Sequence, residues 1–103
     1  MAGMTRIELH HMLEALPGVR GVYYQPPESV KLKYPAVIYS RSRIGNVHAD
    51  NRVYRQDNSY ELIVVGAEPD SALAEAAASL PMCRHDRHYV ADGLDHDVFT
   101  ITI

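Results

Sequence analysis

Residues 59–81, SYELIVVGAEPDSALAEAAASLP, decide how the rest of this 103-residue chain is read. Tyr60, Glu61, Leu62, Ile63, Val64 and Val65 form a nearly unbroken apolar run between Asn58 and Gly66. Such a run suits a central strand covered on at least one face. Glu68-Pro69-Asp70-Ser71 stops the strand and offers Asp70 or Ser71 as a helix N-cap. Leu73, Ala76, Ala77 and Leu80 then recur at helical spacing until Pro81 ends the element, and this narrow, alanine-rich stripe belongs close against a sheet. One strand followed by one helix is therefore the organising unit.

The same grammar appears at the start of the chain. Thr5 and Glu8 make a capping box, in which hydroxyl and carboxylate each satisfy an amide left unpaired at the helix start. Leu9, Met12, Leu13 and Leu16 repeat the apolar spacing, and Pro17-Gly18 closes the helix. Two helices with one apolar face each are expected side by side on one sheet. Val19 to Tyr24 reads as a first strand cut off by Pro26-Pro27, and Tyr34 to Ser40 as a second, with Pro35 tolerated at its beginning. Arg84 to Ala91 and Leu94 to Ile103 flank Asp92-Gly93, a strong hairpin signal. Pairing outward from that turn sets Tyr89 opposite His96 and His88 opposite Asp97. The expectation is one α+β domain spanning residues 1–103, its mostly antiparallel sheet of four or five strands carrying two helices on one face.

Composition limits the function classes. A net charge of −3 is too mild to mark a polyanion binder. The single cysteine, Cys83, excludes an internal disulfide and suits a reducing compartment. No segment approaches the roughly 18 apolar residues of a membrane span, and residues 1–14 lack a signal-peptide core, so a soluble intracellular protein is expected.

Searches for chemistry give little. His85 and His88 would share a helix face, but regular strand alternation sends them to opposite faces. His10 and His11 are consecutive on a helix and diverge. Asp92, Asp95 and Asp97 lie in and beside a tight turn, where aspartate is expected anyway. Phosphate-loop, dinucleotide, nucleophile-elbow and zincin patterns are missing. No catalytic residue, metal ligand or cofactor is assigned. A small His- or metal-dependent hydrolase using His85, His88 and His96, and a small module binding DNA or peptide, remain as alternatives.

Arginine carries the stronger signal. Between Arg41 and Gln56 apolar residues thin out, and Asp50-Asn51 looks like a turn, so a protruding hairpin or a long loop is expected. Arg41, Arg43, Asn51, Arg52 and Arg55 there are the candidate interface residues, because guanidinium groups suit carboxylates at interfaces. Ile103 joins them. A chain ending in an apolar strand is expected to have its terminus pinned in the sheet or under a neighbouring subunit, and to face the problem of an unpaired edge.

Several local strings also recur in a recognisable order. They are Tyr34-Pro35 opening a strand, Arg41-Ser42-Arg43, Tyr60-Glu61-Leu62, Glu68-Pro69-Asp70-Ser71, and Asp86-Arg87 followed by Tyr89, Ala91-Asp92, Leu94 and His96. From Tyr34 onward the chain resembles small tail proteins of long-tailed bacteriophages and prophages, of the tail-terminator kind. The resemblance implies a structural virion protein without an active site, forming a hexameric ring that caps the tail tube and joins it to the head. The implied partners are copies of itself, the tail tube protein and the head–neck connector, with genomic DNA passing through the ring without sequence recognition and no membrane involved. The implied location is the virion tail, assembled in the host cytoplasm. A neck adaptor or another minor tail protein is the alternative station.

Overall fold

The computed structural model describes residues 5–49, 52–67 and 72–103, with the backbone alone over 43–49 and 52–57. Two helices, α1 (Arg6–Glu14) and α2 (Ala72–Ala78), accompany five strands: β1 (Gly21–Tyr24), β2 (Ala36–Ala49), β3 (Arg52–Gly66), β4 (Cys83–Ala91) and β5 (Leu94–Thr102). The sheet order is β1-β2-β3-β5-β4. All neighbours are antiparallel except β1 and β2, which run parallel. The expected α+β architecture is present, with one parallel pair added at its edge. The suggested N-caps of α2, Asp70 and Ser71, lie outside the described residues.

Local signals account for most of these elements. At α1, the Glu8 amide donates to the Thr5 hydroxyl at 3.2 Å and the Thr5 amide donates to the Glu8 carboxylate at 3.1 Å. Caps of this kind contribute on the order of 1 kcal/mol. Asp92 (φ 54°) and Gly93 (φ 75°) both take the left-handed conformation that a two-residue type I′ turn requires. The turn thereby sets the β4–β5 register, with Tyr89 opposite His96 and His88 opposite Asp97.

The core lies between the helices and one face of the sheet. Leu9 and Leu13 of α1, Leu73 and Ala77 of α2, and the inward positions Val37, Tyr39, Tyr60, Leu62, Val64, Phe99, Ile101 and Ile103 are buried together. Leu80, Met12 and Leu16 pack partly buried around them. Among the described residues no helix covers the opposite face, yet Ala36, Val65 and Val98 are almost wholly buried on it. Strand alternation places these three across the sheet from Val37, Val64 and Phe99.

Beyond this two-layer body, β2 and β3 continue as a paired arm. Their register runs from Ala36 opposite Val65 to Ala49 opposite Arg52, interrupted by bulges between Arg41 and Arg43 and between Val47 and His48. The arm stretches the molecule to 51 × 29 × 23 Å. Of the two expectations for residues 41–56, hairpin or loop, the paired strands on either side match the hairpin, while the expected Asp50-Asn51 turn lies outside the described residues.

Candidate assembly surface

Three features place residues where another chain can meet them: the arm, its base, and the outer strand β4. At the base, β1 ends after Tyr24, and Gln25 takes over the pairing role for one step. Its backbone amide donates to the Tyr39 carbonyl at 2.9 Å, and its side-chain oxygen accepts from the Arg41 amide at 3.3 Å. Past that point no strand lies on the outer side of β2 among the described residues. Arg41 itself is exposed and holds its guanidinium 5.9 Å from the centre of the Tyr60 ring.

The other expected interface residues are distributed differently. Arg43, Arg52 and Arg55 lie in the arm, opposite Ser59, Ala49 and Val47 respectively. Asn51 lies outside the described residues. Ile103 is a core side chain, only 6 % exposed, and its backbone exchanges hydrogen bonds with Asn58 at 2.9 and 3.4 Å. The terminal strand β5 sits between β3 and β4, so the edge problem expected there is absent. The edges belong to β1 and β4, because β4 folds back outside β5 through the tight Asp92-Gly93 turn.

The outer strand β4 exposes every residue from Arg84 to Val90. A bulge between His85 and Arg87 changes its alternation. His85 faces Phe99 and His88 faces Asp97, so both histidines share the helix-bearing face. The expectation of opposite faces fails because the extra residue, Asp86, shifts the strand by one position. Hydrogen bonds then run diagonally, from His85 Nε2 to Asp97 at 3.1 Å and from His88 Nε2 to Asp95 at 3.0 Å. His96, on the other face, stacks on Tyr89 with centroids 4.7 Å apart. Each imidazole of the pair on the helix-bearing face has its own carboxylate, and no group of three His, Cys, Asp or Glu side chains suited to a metal occurs among the described residues.

On the helix-free face, Asp86 links two strands. It accepts from the Thr100 hydroxyl and, at 3.0 Å, from Arg84 Nε. The Thr100 bond, then the guanidinium, hold its carboxyl below the usual aspartate range. Beside them Ser42, Ser59, Arg84, Thr100 and Thr102 line an open polar groove of about 300 Å³. The Thr100 and Thr102 alternation on the last strand was its visible trace in the sequence.

A cluster not anticipated from the sequence ties α1 to the sheet. The Arg6 guanidinium lies 4.3 Å from the centre of the Tyr24 ring and reaches the Tyr39 hydroxyl at 3.4 Å. His10 Nδ1 meets the same hydroxyl at 2.7 Å, while its Nε2 is 3.7 Å from the Glu14 carboxylate. In the tautomer with its proton on Nε2, towards Glu14, Nδ1 accepts from the Tyr39 hydroxyl. Burial raises the Tyr39 phenol above its ordinary value, more than Arg6 lowers it. The spacing of Arg6, His10 and Glu14 at i, i+4, i+8 was the signal for this stripe.

Cys83 is half-buried, and burial, with a smaller contribution from the Asp86 carboxylate, pushes its thiol up to about 11. At pH 8 the thiolate is then on the order of one in a thousand, against about a quarter for a free thiol near 8.5. Modification by a disulfide reagent is expected to run roughly 100-fold slower in the native protein than in urea. A raised thiol value stabilises the fold fully below its ordinary value and loses that contribution as pH climbs towards 11. Comparable native and unfolded labelling rates would show that Cys83 is open to solvent.

Comparison with family models, curated proteins and solved structures found no match to this chain.

Proposed function

We propose that this protein is a structural component of a long-tailed bacteriophage tail, a terminator that assembles as a ring, caps the tube and joins it to the head–neck region. The observation that carries the reading is the β2–β3 arm. A domain of this size gains nothing for its own core by extending two strands of 14 and 15 residues past the body. An arm of that kind suits contact with other chains. Its charge fits the same purpose. Four arginines against Asp50 and Asp57 give residues 41–57 a net +2, leaving −5 for the remainder of the −3 chain. A basic arm and an acidic body favour contacts in which the arm of one copy lies on the body of the next. Such head-to-tail contacts close into rings when the rotation permits. The sequence resemblance supplies the phage setting, the sixfold count and the tube and connector as partners.

Charge reversal at two arm positions, Arg43→Glu with Arg52→Glu, is expected to shift the monomer's melting temperature by no more than about 2 °C, in line with surface substitutions. Self-association measured by sedimentation should weaken at least tenfold. Equal loss of stability and association would make the arm part of the fold instead. Imaging the head-proximal end of the tail particle tests the station directly. Density for a ring of this chain between tube and connector is the expected result. A position one ring further towards the head would make it a neck adaptor, and its absence from the virion would overturn the reading.

A further inference from the structure

We infer that copies of this chain join by β-strand addition, with β4 of one copy pairing antiparallel to the outer edge of the β2 arm of the next. The inference rests on the self-assembly reading and specifies its interface. Two edges of matching length carry it. At one end of the sheet, β4 (Cys83–Ala91) offers its outward amides and carbonyls, with no strand beyond it among the described residues. At the other end, β1 covers β2 only from Ala36 to Tyr39, and Gln25 satisfies the Arg41 amide. Among the described residues, positions 43–49 of β2 therefore have a neighbouring strand on one side only, β3. Unpaired strand edges of this length are templates for another strand.

Direction fits as well. Along the order β2-β3-β5-β4 each step is antiparallel, so β4 runs opposite to β2 within one copy. Two copies in the same orientation, set side by side along the sheet, thus bring β4 against the next β2 in antiparallel sense. A contact of this kind joins two different edges, so it propagates head to tail.

The register also bears on closure. Within one copy, Cys83 lies level with Arg41, through Ile101 and Tyr60. Reaching the free stretch moves Cys83 to the level of Ala49, a stagger of about eight residues, or roughly 26 Å along the strands. The sheet repeat from one β2 to the next is four strands, β2-β3-β5-β4, roughly 19 Å across. Strands in the assembly are then inclined by about 54° to its axis, somewhat steeper than the roughly 35–45° of closed barrels. A stagger near zero would have given a flat sheet with no reason to close. β1 enforces the stagger, because it occupies the level that an unstaggered neighbour would need.

Cross-linking tests the pairing. In a Cys83→Ser background, Arg43→Cys combined with Tyr89→Cys places the two thiols at facing levels of the proposed ladder. A short bis-maleimide is expected to give a ladder of covalent multimers with the double variant and little product with either single variant. Circular dichroism melts of each variant establish that it is folded. Dimers from Tyr89→Cys alone would mean that β4 pairs with itself about a twofold axis, and the inference would fall. Multimers seen by native mass spectrometry without cross-linking of the double variant would also overturn it, while leaving self-assembly standing. Folded monomer at every concentration up to the millimolar range, with and without tail tubes, would remove the self-assembly reading and this inference with it.

Discussion

Leu62→Ala is expected to lower stability by about 2–5 kcal/mol, the range for truncating a fully packed leucine. Leu62 is fully buried on the central strand β3, with Tyr39 beside it on β2 and Phe99 beside it on β5. Both neighbours are large and buried, and both are held in sheet register, so neither can easily swing into the space left behind. The cavity contribution should therefore add to the lost transfer free energy. For a domain of this length each kcal/mol corresponds to roughly 4–8 °C in melting temperature, so a fall of at least about 10 °C is anticipated in a thermal melt. Ile63, one residue on, faces the helix-free side and is only half-buried. Ile63→Ala should cost distinctly less. Equal losses would mean that the two faces of the sheet are packed alike, and that the helix layer does not define the core.

The contrast between Leu62 and Ile63 also shows what the sequence made legible. The run from Tyr60 to Val65 announced a central strand covered on at least one face, and Ala36, Val65 and Val98 form a small second burial on the helix-free face. Helix stripes, the Thr5 cap and the Asp92-Gly93 turn are local signals, and each produced the element it predicts. The arm was harder to read because its strands leave the body. Residues 41–57 do not alternate apolar with polar, so periodicity fell silent although the backbone of 41–49 and 52–57 is extended. Strand order was hidden for a different reason. Periodicity records which face a residue takes but not which strand lies beside it, so neither the parallel β1 nor the interior position of β5 could be seen. The Asp86 bulge escaped by the same logic, since a single inserted residue leaves no mark on composition while reversing the faces of everything before it. Among the candidate interface residues, Arg41, Arg43, Arg52 and Arg55 were singled out by their clustering, and all four lie on β2 and β3. For Ile103 both readings stood, because an apolar terminus reads alike whether it meets its own core or another chain, and the side chain lies in its own core.

Tyr39→Ala should be at least as damaging as Leu62→Ala, at about 3–5 kcal/mol, for a reason that reaches beyond volume. Tyr39 is 1 % exposed and touches Tyr24 and Tyr60 ring to ring, with centroids at 4.9 and 6.1 Å. Its hydroxyl meanwhile serves His10 and Arg6 on α1. Truncation removes the packing and leaves both polar partners facing the gap. Tyr39→Phe separates the two effects, since it keeps the ring and removes only the hydroxyl. That change should cost about 1 kcal/mol, as for a single part-buried hydrogen bond. His10→Ala should cost a similar amount, and the double variant little more than either, because each single change already breaks the same bond. Additive losses would mean that His10 and Tyr39 act separately and that α1 is held by Leu9 and Leu13 alone. Coupled losses would identify the Tyr39 hydroxyl as the polar anchor of α1 on β2, two residues before Arg41 at the base of the arm. An α1 held there ties the helix to β2 just before the arm begins, which is the fixed base that the proposed strand addition between copies requires.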